Sequence, residues 1–345
     1  MSTAIRNQDD ALAWVSAHAQ SLNDGTDHAD QIVPVLGAAG FFRIGVAPEL
    51  GGSGGSTADA IDAIARVAER SLTAAFVFWG QRTFIEYLLQ SPNAGLRESR
   101  LPALLAGELA GATGLSNAMK FLSGIESLSI SATPAGAGWR LDGTLPWVTN
   151  LRRAGFAVAA AVEPTDGQPP AVVAFFGDTP GITRTVDLQL LALRGSNTAA
   201  IDIQGVASGA AELIHADARS FLPRVRPGFL GLQCGMSIGL ARACIAAAKA
   251  TGSHRRAEGR PRQRQLCRAG RTAVSRAHPP RRHRARGHGP GTRRQRRPRL
   301  SGGHHRRFRP PLAGSRLRSG GHPQPYPAPR RTRTPGRIEG RMNSP

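Results

Sequence analysis

Few stretches of this 345-residue chain combine residue types and spacing that could do chemistry. The most suggestive is Trp147-Val148-Thr149-Asn150. Side chains alternate between the two faces of a strand, so Trp147 and Thr149 share one face. An indole beside a hydroxyl could hold a flat aromatic cofactor, with the hydroxyl or nearby backbone meeting a ring nitrogen. Taken alone, the same residues also describe an interior tryptophan at the end of a hairpin arm. A second stretch, Arg194-Gly195-Ser196-Asn197-Thr198, is a polar link between two apolar segments. Its guanidinium and hydroxyls could meet phosphate or carbonyl oxygens, and a structural turn accounts for it at least as well.

Other chemistries find little support. The glycine-rich stretch 51–55 lacks the Gly-Lys-Ser/Thr of a phosphate loop and the full spacing of a dinucleotide fingerprint, so it reads as a turn. No close His, Asp and Ser set argues for hydrolysis, and no metal-ligand spacing emerges. Glu49, Glu69 and Glu126 read as surface or structural groups, His18 as part of a helix surface, and the catalytic residue stays unknown.

Apolar periodicity supplies the scaffold around these residues. Helices are expected over 9–22, 29–40, about 56–70, about 71–90 and 101–109. The fourth is rich in aromatics, Phe76, Trp79, Phe84 and Tyr87 among them, and is read as core. Alternation of Ile125, Leu128 and Ile130 begins a strand-rich section that continues to about residue 206. Its edges would be protected by a closed or curled sheet. From about 226 to 250 the pattern is helical again, and that helix would expose an apolar stripe unless other helices covered it. The expected fold class is α+β: a helical domain over 1–110, a middle β-barrel domain over 111–222, and the first helix, 223–250, of a truncated C-terminal helical bundle.

Residues 251–345 are a different kind of chain. They hold 27 of the 45 basic residues, all arginine, with Glu258 and Glu339 as their two acids. The first 250 residues carry 18 basic and 21 acidic side chains, so the strongly positive net charge of +22 belongs to the last 95 residues. Thirteen prolines and scattered apolar residues there predict disorder. Three accounts fit this composition: a basic arm with non-specific polyanion or nucleic-acid binding, a solvated tail without a role, and out-of-frame translation of a GC-rich gene. The lack of lysine and of any accompanying fold motif favours the third. A one-base shift near codon 252 is then expected to open a frame coding amphipathic helices. If neither alternative frame does so, the account fails.

Cys234, Cys244 and Cys267 are too widely spaced for a disulfide framework and are expected to be reduced, the first two as core residues. Residues 1–10 are polar and unlike a secretory signal, no membrane span is expected, and cytoplasmic residence is the default.

Three motifs together resemble the acyl-CoA dehydrogenase family. Gly40-Phe41-Phe42-Arg43-Ile44-Gly45-Val46, followed by Pro48-Glu49-Leu50-Gly51-Gly52-Ser53-Gly54, looks like the family's first loop. Asp142-Gly143-Thr144-Leu145-Pro146-Trp147-Val148-Thr149-Asn150 is similar to its Trp-Ile-Thr-Asn flavin segment, and Leu193-Arg194-Gly195-Ser196 to a later β-domain motif. The resemblance covers roughly residues 5–250 and implies FAD as cofactor, with Trp147 packed on the isoalloxazine and Thr149 near its N5. It implies that 112–116, with Thr113, Leu115 and Ser116, line the pyrimidine side and the start of the substrate cleft. The implied reaction is α,β-dehydrogenation of an acyl thioester, acyl-CoA or another small molecule, in a homo-oligomer. The family's catalytic carboxylate lies in the last helical domain, and nothing in 251–345 matches it. Departures also occur inside the match: Gly114-Leu115-Ser116-Asn117-Ala118-Met119-Lys120 replaces the usual Thr-Glu-Pro…Gly-Ser-Asp, and Gln81 stands where relatives often place histidine. They keep open a monooxygenase of the same fold that uses reduced flavin and dioxygen, as well as a chain inactive as encoded.

Overall fold

A computed structural model describes residues 5–250, and the disorder expected for the tail falls outside the described residues. Helices come first in the chain: α1 (Gln8–Ala17), α2 (Ala19–Asp24), α3 (Ile32–Ala38), α4 (Thr57–Ala68), α5 (Leu72–Gln90) and α6 (Ala94–Ala106). Apolar residues fall on every side of α5, and 15 of its 19 residues are buried, as suits a helix enclosed by others. Ser71 caps it by accepting from the Ala74 amide at 3.3 Å. Helix α4 starts with a reciprocal cap, in which the Asp59 carboxylate accepts from the backbone amide and hydroxyl of Ser56. Those bonds hold the Asp59 carboxyl below its ordinary value.

The strands are β1 (Ala110–Thr113), β2 (Ile130–Ala135), β3 (Gly138–Val148), β4 (Phe156–Pro164), β5 (Ala171–Phe176), β6 (Ile182–Arg184), β7 (Ala199–Ser208) and β8 (Leu213–His215). The expected β-barrel is wrong. They form one open sheet in the order β6-β7-β3-β2-β4-β5-β8, with β1 branching from β4. The outermost strands, β6 and β8, have three residues each and do not pair with one another. Edge protection comes from the shortness of these strands, not from closure. Strand β4 is almost wholly buried and pairs in parallel with both β1 and β2, which accounts for its unbroken apolar run. The strand expected around 125–130 begins only at Ile130; residues 122–129 are turns and bends that follow a short helix, α7 (Ser116–Phe121).

Helix α8 (Ala218–Ala250) runs for 33 residues, beginning before the expected start. Pro223 and Pro227 lie inside it on the exposed side, while Phe221, Leu222, Val225, Phe229 and Leu232 anchor the opposite side. Glycines at one-turn spacing let α8 lie directly on α4. A methyl group at Gly235 would sit 2.7 Å from the Ile61 carbonyl oxygen, and one at Gly239 would sit 2.2 Å from that of Ala65. The apolar stripe foreseen on α8 is present at Leu230, Ile238, Leu240 and Ile245. Cys234 and Cys244, expected in the core, are exposed instead, because the glycine face is the one that packs. By length and composition alone α8 could also cross a bilayer; here its glycine face is committed to α4.

Candidate active site

Strand β3 delivers the tryptophan. Its ladder with β7 loses register between Leu145 and Val148, so Pro146 and Trp147 step out of the regular pairing. Such an irregularity re-aims a side chain, and Trp147 is left 67 % exposed. The indole lines a cleft of about 550 Å³ together with Thr149 and Thr198. Phe76 and Trp79 of α5 also line it, their rings stacked 5.6 Å apart and nearly parallel. Thr113 of β1, Ser116 of α7, residues 190–193 and Gln233 of α8 complete the lining.

Four of the five expected binding residues, Thr113, Ser116, Trp147 and Thr149, thus meet in one place. Leu115 does not line the cleft but is fully buried; its amide donates to Thr113 Oγ1 at 3.3 Å. The aromatic residues of α5 divide: Phe84 and Tyr87 are core, whereas Phe76 and Trp79 face the cleft. Periodicity did not separate them, since every side of α5 is apolar. Leu193 was singled out in sequence only as the start of a β-domain motif, and residues 190–192 and Gln233 carried no site signal. The glycine-rich loop lies elsewhere. It folds back on Val46, where a methyl group at Gly52 would stand 1.9 Å from the carbonyl oxygen.

Behind the cleft, polar groups are held by buried hydrogen bonds. Thr149 and Thr198 share a hydroxyl–hydroxyl bond of 3.0 Å, and Thr198 meets Ser196 at 2.8 Å. The stretch 194–198 therefore acts as a turn that supports the cleft. It approaches α2 so closely that a methyl group at Gly195 would lie 2.4 Å from the Leu22 carbonyl oxygen. Replacing Thr198 by Val strands two buried hydroxyls at once and is expected to cost about 1–3 kcal/mol, read as a lower urea midpoint with an unchanged slope.

Asn150 adopts a left-handed backbone at φ 69°, a conformation Asn tolerates better than most residues. Its Nδ2 donates to Gln81 Oε1 at 3.0 Å and to the Gly111 carbonyl at 2.8 Å. Gln81 Nε2 in turn donates to the carbonyls of Leu104 and Leu109, both at 2.9 Å. Gln81 is thus a clamp joining α5, α6, β1 and the end of β3. Thr113 Oγ1 lies 2.9 Å from the buried Tyr87 hydroxyl. Burial raises the Tyr87 phenol above its ordinary value of 10.0, opposed by the Thr113 bond. Tyr87 thus stabilises the fold fully below that ordinary value. The contribution falls at higher pH, as the unfolded chain ionises first. Unfolding midpoints from pH 9 upward should decline less steeply in Tyr87→Phe.

No protein-family model matches the chain. It is 26 % identical over 267 residues to a Bacillus subtilis (strain 168) protein described as probable acyl-CoA dehydrogenase YngJ, covering 74 % of this chain and 68 % of that one. Over its described part the chain is thus similar in sequence to a probable acyl-CoA dehydrogenase. Solved structures of similar fold include FkbI, described for biosynthesis of a methoxymalonyl extender unit, at 21 % identity and a TM-score of 0.61, covering 70 % of this chain and 68 % of that one. Butyryl-CoA dehydrogenase from Megasphaera elsdenii follows at 20 % identity and a TM-score of 0.59, covering 72 % and 68 %. The family points to FAD-linked oxidoreductase chemistry in general. The chemistry of the cleft lining fits the ring end of FAD: aromatic side chains, hydroxyls at Thr113, Thr149 and Thr198, and a tryptophan whose apolar surface is largely uncovered.

Proposed function

We infer that the chain is a flavin-dependent oxidoreductase that binds FAD in this cleft, and that its reaction is α,β-dehydrogenation of an acyl thioester. The uncovered Trp147 indole is the observation that carries the reading. A soluble fold gains by covering so large an apolar surface, and the neighbouring hydroxyls suit a flat ring edged with nitrogen and oxygen. Bound FAD would accept the hydride. Trp147 would stack on the ring, Thr149 would hold its nitrogen edge, and Thr113 and Ser116 would orient the pyrimidine side, with Leu115 buried behind them.

Dehydrogenation also needs a base for the α-proton. No carboxylate lines the cleft among the described residues. The full chain, loaded with FAD and mixed anaerobically with a saturated acyl-CoA, should lose its visible flavin band slowly. The rate should lie about 10²–10⁴-fold below that of base-assisted chemistry, and added acetate should raise it. If the band persists with acetate present, and product forms only from externally reduced flavin and dioxygen, dehydrogenation is the wrong reaction and monooxygenation replaces it.

A further inference from the structure

We propose that the cleft recognises the uncharged ring of the flavin and not its phosphates, so that riboflavin, FMN and FAD bind this chain with equal affinity. The inference rests on the flavin reading above and adds which part of the cofactor is recognised. Twelve side chains line the cleft among the described residues, and every one of them is uncharged. Arg194, which follows Leu193, does not line it and spends its Nε on the Leu190 carbonyl at 2.7 Å. A diphosphate drawn into such surroundings would leave water without gaining an opposite charge, which is costly. The ring gains instead: it covers Trp147 and meets the Phe76–Trp79 stack and the Thr149–Thr198 hydroxyls. The ribityl chain and phosphates would lie outside this uncharged lining, where their charge stays hydrated and contributes nothing to selection.

Titration settles the matter. The full chain is mixed with each of the three flavins in about 0.5 M NaCl, which screens contacts with the arginine-rich segment, and flavin fluorescence polarisation is followed. The three Kd values should agree within about threefold, and ADP should not compete. Trp147→Ala should weaken all three by about tenfold, with an unchanged melting temperature because the indole is exposed. FAD binding at least tenfold tighter than riboflavin, or displacement by ADP, would overturn ring-only recognition and leave the flavin reading standing. Equal binding that Trp147→Ala does not disturb would overturn it by placing the ring elsewhere. A folded chain that binds none of the three would overturn the flavin reading itself.

Discussion

Arg82→Met should destabilise the protein by about 3–5 kcal/mol, because it leaves the Glu86 carboxylate without its partner in the interior. Arg82 is completely buried in the middle of α5, and its Nη1 donates to Glu86 Oε2 at 3.0 Å. Desolvation lowers the Arg82 pKa, and attraction to Glu86 opposes the shift. The guanidinium also reaches the first loop, donating to the carbonyls of Ile44 at 3.4 Å and Gly45 at 3.1 Å. One side chain thus ties the central helix to the loop that follows Phe42. The double variant Arg82→Met, Glu86→Leu removes the stranded carboxylate and should recover most of the loss, leaving about 1–2 kcal/mol for the two carbonyls. Urea unfolding of both variants checks this. A single variant that loses less than the double one would mean that the ion pair is not what the loop depends on.

Gly239→Val is also expected to destabilise the protein and to reach the cleft from a distance. The first added carbon would lie 2.2 Å from the Ala65 carbonyl oxygen and 2.6 Å from the Ala68 Cβ, so α8 must move away from α4. Overpacking of this kind costs about 1–3 kcal/mol or more. The displacement would be felt at two places further up the helix. The Phe229 carbonyl accepts from Trp79 Nε1 at 3.4 Å, and Gln233 lines the cleft. Flavin affinity should fall by about tenfold or more, a loss near 1.4 kcal/mol. Ser237→Ala, on the exposed side of α8, should change neither stability nor affinity. A Gly239→Val protein with normal stability and normal flavin binding would show that the close helix contact is dispensable.

Much of the helical region was readable because its periodicity is strong. The expected third and fourth helices correspond to α4 and α5, and the Ser56 start was visible as a cap followed by Asp59. The sheet was less legible. Short strands such as β1 and β8 carry too few residues for a period to show, and whether a sheet closes depends on its two edge strands meeting, which no local pattern records. The lining role of Leu190–Leu193 was invisible for a different reason. Its lining role depends on a left-handed turn at Leu193, with φ 61°, where sequence would place a glycine. The Leu193 amide is held by Asn23 Oδ1 at 3.3 Å, a partner 170 residues away.

The chain's residue types by themselves pointed to a shared face for Trp147 and Thr149, because alternation along an extended backbone is a local property. They also determined that charge would be concentrated after residue 250, since composition needs no fold. Only the tertiary structure decided that the indole faces a cleft and does not fill a core. That outcome depends on a register slip against β7, on Phe76 and Trp79 arriving from a helix some 70 positions earlier, and on α8 lying on its glycine face. Each of these is a contact between residues far apart in sequence, and their free energies are set by packing partners that no single segment contains.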